Sequence, residues 1–228
     1  MPAKIKNHLP KAPRQGSAQA WVIAVDMGYG HQRAAYPLRH MAYKGILNAN
    51  RYVGIPAEDK KIWKESREFY ETISRFKNLP LIGQAVFDLY DRLQAIPQFY
   101  PKRDLSHPNM QVRVMMAAIR KGWGKHLMRL LEQQNRDLPI VTTFPVPAFM
   151  AEYHGYPGEI YCLATDADIS RAWVPESPNR SRIKYFAPNA RVVERLQLYG
   201  VKSSNIYLKH LPIIWFYYRS SFFYHLLF

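Results

Sequence analysis

The residues with the most chemical promise are a histidine behind a pair of glycines, Gly28-Tyr29-Gly30-His31, and two carboxylates one residue apart, Asp166-Ala167-Asp168. An imidazole titrates near neutrality, so His31 at the open edge of a sheet could act as a general base. Glycine relaxes the steric limits on the backbone and lets the chain turn sharply close to a ligand. The amides of Gly28, Tyr29 and Gly30 could then cradle a phosphate or sugar oxygen. Asp166 and Asp168 could orient a histidine or bind substrate hydroxyls. The plain alternatives are a solvated loop histidine and, for Asp168, the N-cap of a following helix.

Elements that would position these groups are legible around them. Residues 21–25 (Trp-Val-Ile-Ala-Val) form a short, β-branched, apolar run that suits a strand covered on both faces, as in a parallel sheet. After the glycines, Ala34, Leu38, Met41, Ala42, Gly45 and Ile46 recur at helical spacing, although Pro37 requires a kink or a late start. A strand that runs through a glycine turn into a helix brings His31 to the carboxyl edge of the sheet. Further strands are predicted at residues 51–55, 139–144, 159–165, 183–187 and 205–208, and Asp166 and Asp168 follow the third of these on the same edge. Helices are predicted at residues 59–76, 81–96, 111–134, 148–153 and 190–199, with a break near Trp123 between Gly122 and Gly124 and a cap at Gly200. Pro145 and Pro147 are read as stopping the strand that ends at residue 144. The fold class is α/β, a Rossmann-like parallel sheet flanked by helices.

Spacing weakens a dinucleotide site and a hydrolase and rules out an NTPase loop. Counting a dinucleotide fingerprint from Gly28 puts Arg33 where the third glycine belongs, and His31-Gln32-Arg33 stands where an NTPase loop needs Gly-Lys-Ser/Thr. Neither Gly-x-Ser-x-Gly nor His-Glu-x-x-His occurs, and no zinc-finger or RNA-recognition signature is present.

The chain has 228 residues, 32 Lys and Arg against 17 Asp and Glu, and a net charge of +15, which favours anionic partners. Its one cysteine, Cys162, excludes an internal disulfide and fits a reducing compartment. Residues 1–20 read as a basic, disordered arm without the apolar run of a secretory signal. The helices between residues 60 and 125 set aromatic residues against lysines and arginines. That pattern suits core packing with a solvated basic face, or a helix lying on an anionic membrane. No run approaches the length of a spanning helix.

The strand, Gly28-Tyr29-Gly30-His31 and Ala34-Ala35 together resemble the N-terminal domain of glycosyltransferases of the GT-B fold, in particular the monogalactosyldiacylglycerol synthase and processive diacylglycerol glucosyltransferase family. Two later segments follow the same family pattern. Thr165-Asp166 is followed by Trp173, with Ser170 where the family has a histidine. Tyr185-Phe186, Gly200-Val201 and Pro212 match the unit that closes the domain, with His210 in place of a glycine. The resemblance spans about residues 21–212.

The resemblance implies an acceptor-binding half of an enzyme that transfers a sugar from a nucleotide-sugar, typically a UDP-sugar, to a lipid hydroxyl such as that of diacylglycerol. No cofactor or protein-bound metal is implied. His31 becomes the candidate base and Asp166 its orienting carboxylate, while Gly28, Tyr29, Gly30, Asp168 and Trp173 become candidate substrate contacts. The implied location is the cytoplasm, peripheral at the inner face of the membrane. Residues 213–228 read as an aromatic tail of truncated or frameshifted character, or else a membrane-seeking segment, and a donor domain would need roughly 150 further residues. On this reading the chain alone is inactive. The alternative is a non-enzymatic Rossmann-like module that binds anionic ligands such as nucleic acid.

Overall fold

The structure, a computed structural model, describes residues 19–27, 29–76 and 96–208, and among these the side chains of all but Tyr29 and residues 69–76. Six strands form one sheet in which every neighbouring pair is parallel: β1 (Trp21–Ala24), β2 (Leu47–Asn48), β3 (Ile140–Thr142), β4 (Ile160–Leu163), β5 (Lys184–Ala187) and β6 (Ile206–Leu208). Their order across the sheet is β2-β1-β3-β4-β5-β6. The expected Rossmann-like α/β architecture is therefore present. The order reverses between β1 and β3, and in open parallel sheets the crevice beyond the carboxyl ends of the strands at such a reversal is where ligands sit.

Side chains alternate between the two faces with the two-residue period of a strand. Trp21, Ile23, Ile140, Ile160, Cys162 and Tyr185 enter the larger core, and Val22, Ala24, Val141, Tyr161, Leu163 and Phe186 the smaller one. Because both faces are covered, the strands read as nearly continuous apolar runs. Cys162 is fully buried in β4, and burial pushes its thiol pKa far up.

The larger core is packed by α2 (Ala57–Phe76), α3 (Met110–Arg120), α4 (Lys125–Asn135), α5 (Pro145–Tyr153) and α6 (Ala190–Leu198), and the smaller by the segment after β1. That segment is α1 (Tyr29–Ala35), followed by a 3-10 helix at Tyr36–His40. The single amphipathic helix expected through residue 46 is thus divided. Pro37 has no N–H for an α-helical bond and sits in the first turn of the tighter 3-10 helix, which still buries Leu38.

The second strand also differs from expectation: it is Leu47–Asn48, and residues 51–55 form turns. Asn50 accounts for the early stop. Its side chain accepts from Asp26 N at 3.1 Å and donates to Asp26 O at 3.2 Å, which ties the chain back to the end of β1. The prolines after β3 start a helix rather than merely end a strand, since Phe144 is the N-cap of α5 and Pro145 opens its first turn, where a missing N–H costs nothing. Ala20, assigned from sequence to the basic arm, is fully buried and bridges Ala42. The rest of that arm apart from the exposed Gln19, the helix expected at residues 81–96 apart from Ile96, and the aromatic tail lie outside the described residues.

The break between α3 and α4 falls where the glycines stand. Gly122 and Gly124 adopt φ of +112° and +82°, and the Gly124 N–H donates to the buried Asp59 carboxylate at 3.2 Å. A Cβ on Gly124 would overlap Sδ and Cγ of the buried Met150. Gly124→Ala combines left-handed backbone strain with overpacking and is expected to lower stability by about 2–4 kcal/mol. A shift of the urea midpoint at constant m-value measures it.

Candidate functional site

β1 delivers the chain to α1 at the carboxyl edge, and β3 and β4 bring Thr143 and Thr165 to the same edge. His31, two residues into α1, is half buried and held from two directions. Its ring Nδ1 lies 2.8 Å from the Thr143 carbonyl, and the Thr143 hydroxyl donates to the His31 carbonyl at 2.9 Å. A carbonyl only accepts, so Nδ1 carries the proton and the neutral ring presents Nε2 as its basic nitrogen. Among the described residues, Nε2 has no hydrogen-bond partner. Phe144 stands edge-on to the imidazole at a centroid distance of 4.8 Å, and Trp173 lies 6.2 Å away.

The ring opens on a cleft of about 260 Å³ lined by His31, Met115, Phe144, Asp166, Asp168 and Trp173, among others. Asp166 does not bond the imidazole directly. Trp173 and Thr165 stand beside its carboxylate and favour the ionised form, and the Thr165 oxygen lies 3.4 Å from His31 Nδ1. Asp166 therefore acts on the histidine through its charge. Trp173 is held in turn by its neighbour Arg171, which is buried and donates to the carbonyls of Ser106, Val174 and Pro175.

The two carboxylates occupy opposite electrostatic environments. Burial raises the Asp166 pKa, and the opposing pull of His31, Trp173 and Thr165 does not cancel it. Burial would also raise Asp168, but Arg195 and Arg191 outweigh it and hold that group below its usual range. Arg195 Nε and Nη2 reach the two Asp168 oxygens at 3.0 and 2.9 Å, and Arg191 adds a contact at 2.7 Å. Asp168 lines the cleft with its charge already matched, and no helix uses it as a cap; the adjacent 3-10 turn is entered from Ser170. One carboxylate is made harder to ionise by burial and the other is a fixed anion.

Desolvation lowers the His31 pKa, while the Thr143 carbonyl and the charge of Asp166 pull it partly back up. The folded pKa thus lies below the ordinary 6.5, so the basic form is retained at neutral pH. Between 6.5 and that lower value the unfolded chain binds more protons, and stability falls as the pH is lowered through this window. Asp166→Asn removes an anion that favours the imidazolium, so it is expected to lower the His31 pKa further. Titration of the ring resonances by NMR reads this directly, and an unchanged or higher pKa would contradict the placement of Asp166.

Of the other residues singled out from sequence, Gly28 lies outside the described residues and Tyr29 opens α1. Gly30 is exposed within α1, without positive φ, and a Cβ there would meet nothing within 4 Å. The turn does not depend on glycine at position 30. Thr143, Phe144 and Arg171 went unrecognised in the sequence. The signal that could have found the first two is their position directly after an apolar strand run, on the edge already assigned to His31. Among the described residues no group of His, Cys, Asp and Glu could hold a metal ion, and no helix is long and apolar enough to cross a membrane. Comparison with known protein families, with curated proteins and with solved structures finds no match.

Proposed function

We propose that the chain is the acceptor-binding half of a glycosyltransferase that moves a sugar from a nucleotide-sugar, a UDP-sugar by resemblance, to a lipid hydroxyl at an anionic membrane surface. The observation that carries the reading is His31: its Nδ1–H is committed to the Thr143 carbonyl, and its Nε2 is left available beside a cleft at the carboxyl edge of a parallel sheet. In the proposed step Nε2 takes the proton of the acceptor hydroxyl as that oxygen bonds to the anomeric carbon. The bond from that carbon to the diphosphate breaks, and the nucleoside diphosphate leaves with the electron pair. The charge of Asp166, together with Thr143, stabilises the imidazolium that forms. Apolar Met27, Met115 and Phe144 along the cleft would receive the lipid portion.

The test is acceptor binding read at His31. Diacylglycerol in neutral mixed micelles is expected to shift the His31 ring resonances, with a loss of affinity in His31→Ala. Absence of any perturbation at His31 would sink the assignment. The alternative, an anion-binding module, predicts salt-sensitive binding of RNA or DNA that survives His31→Ala.

A further inference from the structure

α3 turns Gln111 and Met115 toward the His31 cleft and a different flank, Val114, Ala117, Ala118 and Lys121, toward a second groove of about 640 Å³ between α2, α3 and α4. That volume lies in the range of small-molecule sites. Ile62, Ala117 and Ala118 give the groove an apolar lining with Trp123, which is 4% exposed and packed edge-on against Trp63 at 4.7 Å. At its lip Val114 is left 59% exposed.

The rim is cationic. Lys121, Lys125 and Arg129 all line the groove and are exposed. Neighbouring cations on the same helices are engaged: Lys61 with Glu65 at 3.7 Å, Lys64 with Glu68 at 3.6 Å and Arg120 with Glu176 at 2.8 Å. None of the three rim cations has such a partner among the described residues. Two carboxylates also line the groove. Asp59 is buried and accepts the Gly124 N–H, and Glu58 is exposed in the first turn of α2. Three unmatched cations therefore face one solvated carboxylate across an apolar floor.

A bare anion would use the rim and leave the floor wet, and a neutral apolar molecule would do the reverse. We propose that this groove binds a single anionic amphiphile, its phosphate or carboxylate head on Lys121, Lys125 and Arg129 and its apolar body along Ile62, Val114 and Trp123. This site is separate from His31 and does not depend on the glycosyl-transfer reading.

Calorimetric titration of the chain with dodecyl phosphate below its micelle concentration tests it. One-to-one binding is expected, at least about tenfold tighter than for inorganic phosphate or for the neutral dodecyl maltoside. The double variant Lys125→Gln/Arg129→Gln should weaken dodecyl phosphate by at least about tenfold with an unchanged melting curve. Vesicles of phosphatidylglycerol separate the two sources of such a ligand. If a bilayer lipid is the occupant, dodecyl phosphate displaces the chain from the vesicles; if a free amphiphile is, monomer binding stands without vesicle binding. Equal affinity for inorganic phosphate, an unaffected double variant, or vesicle binding with no monomer binding would each overturn the proposal.

Discussion

On the proposed sugar transfer, His31→Ala is expected to lower the rate by about 10²–10⁴-fold, the usual contribution of a positioned general base, with little change in stability. The imidazole is half buried and its one committed ring hydrogen bond goes to a backbone carbonyl at 2.8 Å, so its removal should cost only about 1 kcal/mol of folding free energy. A variant that folds normally and loses transfer, assayed with a donor half supplied, separates chemistry from structure. His31→Gln sharpens the comparison, since its amide can donate to Thr143 while offering no base. Because desolvation holds the imidazole pKa below 6.5, the acid limb of kcat/KM should also lie below that value. A limb at higher pH, or residual transfer within a few fold of the parent, would remove His31 from the mechanism.

The second large effect concerns folding. Arg195 is fully buried, makes two parallel contacts with Asp168, donates to the Pro97 carbonyl at 2.9 Å and lies over the Phe99 ring at 4.7 Å. Arg195→Ala leaves the Asp168 charge with only the largely exposed Arg191 and opens a cavity, a change expected to cost about 3–5 kcal/mol at pH 7. Lysine should rescue little, because an ammonium cannot reproduce the planar two-point contact. Asp168 has a depressed folded pKa, so the pair's stabilisation is present above the unfolded value of 3.8 and is lost as the pH falls through the folded one. The gap between parent and variant, measured by urea denaturation, should therefore narrow sharply at low pH. A gap that is independent of pH would mean that packing, not charge, dominates at this position.

The sheet was largely legible in the sequence because a parallel strand covered on both faces leaves an uninterrupted apolar run, as in Trp-Val-Ile-Ala at β1 and Ile-Tyr-Cys-Leu at β4. β2 was missed for the complementary reason. Two residues are too few to carry a pattern, while the β-prone stretch after Arg51 is turned aside by Asn50 and by Gly54 at φ +84°. At the candidate site His31 and Asp166 could be placed on one edge from the strands that precede them, Trp173 only through the family resemblance, and the structure brings the three together. The link that sets the imidazole tautomer could not be read, because Thr143 supplies it through a main-chain oxygen 112 residues away. Nor could the neutralisation of Asp168, whose partner Arg195 would pass in sequence for a solvent-facing position of a helix.

The burial of Cys162 carries a practical consequence. Alkylation and disulfide exchange proceed through the thiolate, and a thiol that is enclosed in the sheet and resists ionisation reacts with neither reagent while the fold is intact. Since the sequence contains no other cysteine, the parent chain gives no background in maleimide labelling. A cysteine introduced at exposed Val114 or Tyr153 would carry the sole fluorophore or spin label without any prior substitution. Reactivity of the native thiol itself would then report opening of the sheet at β4.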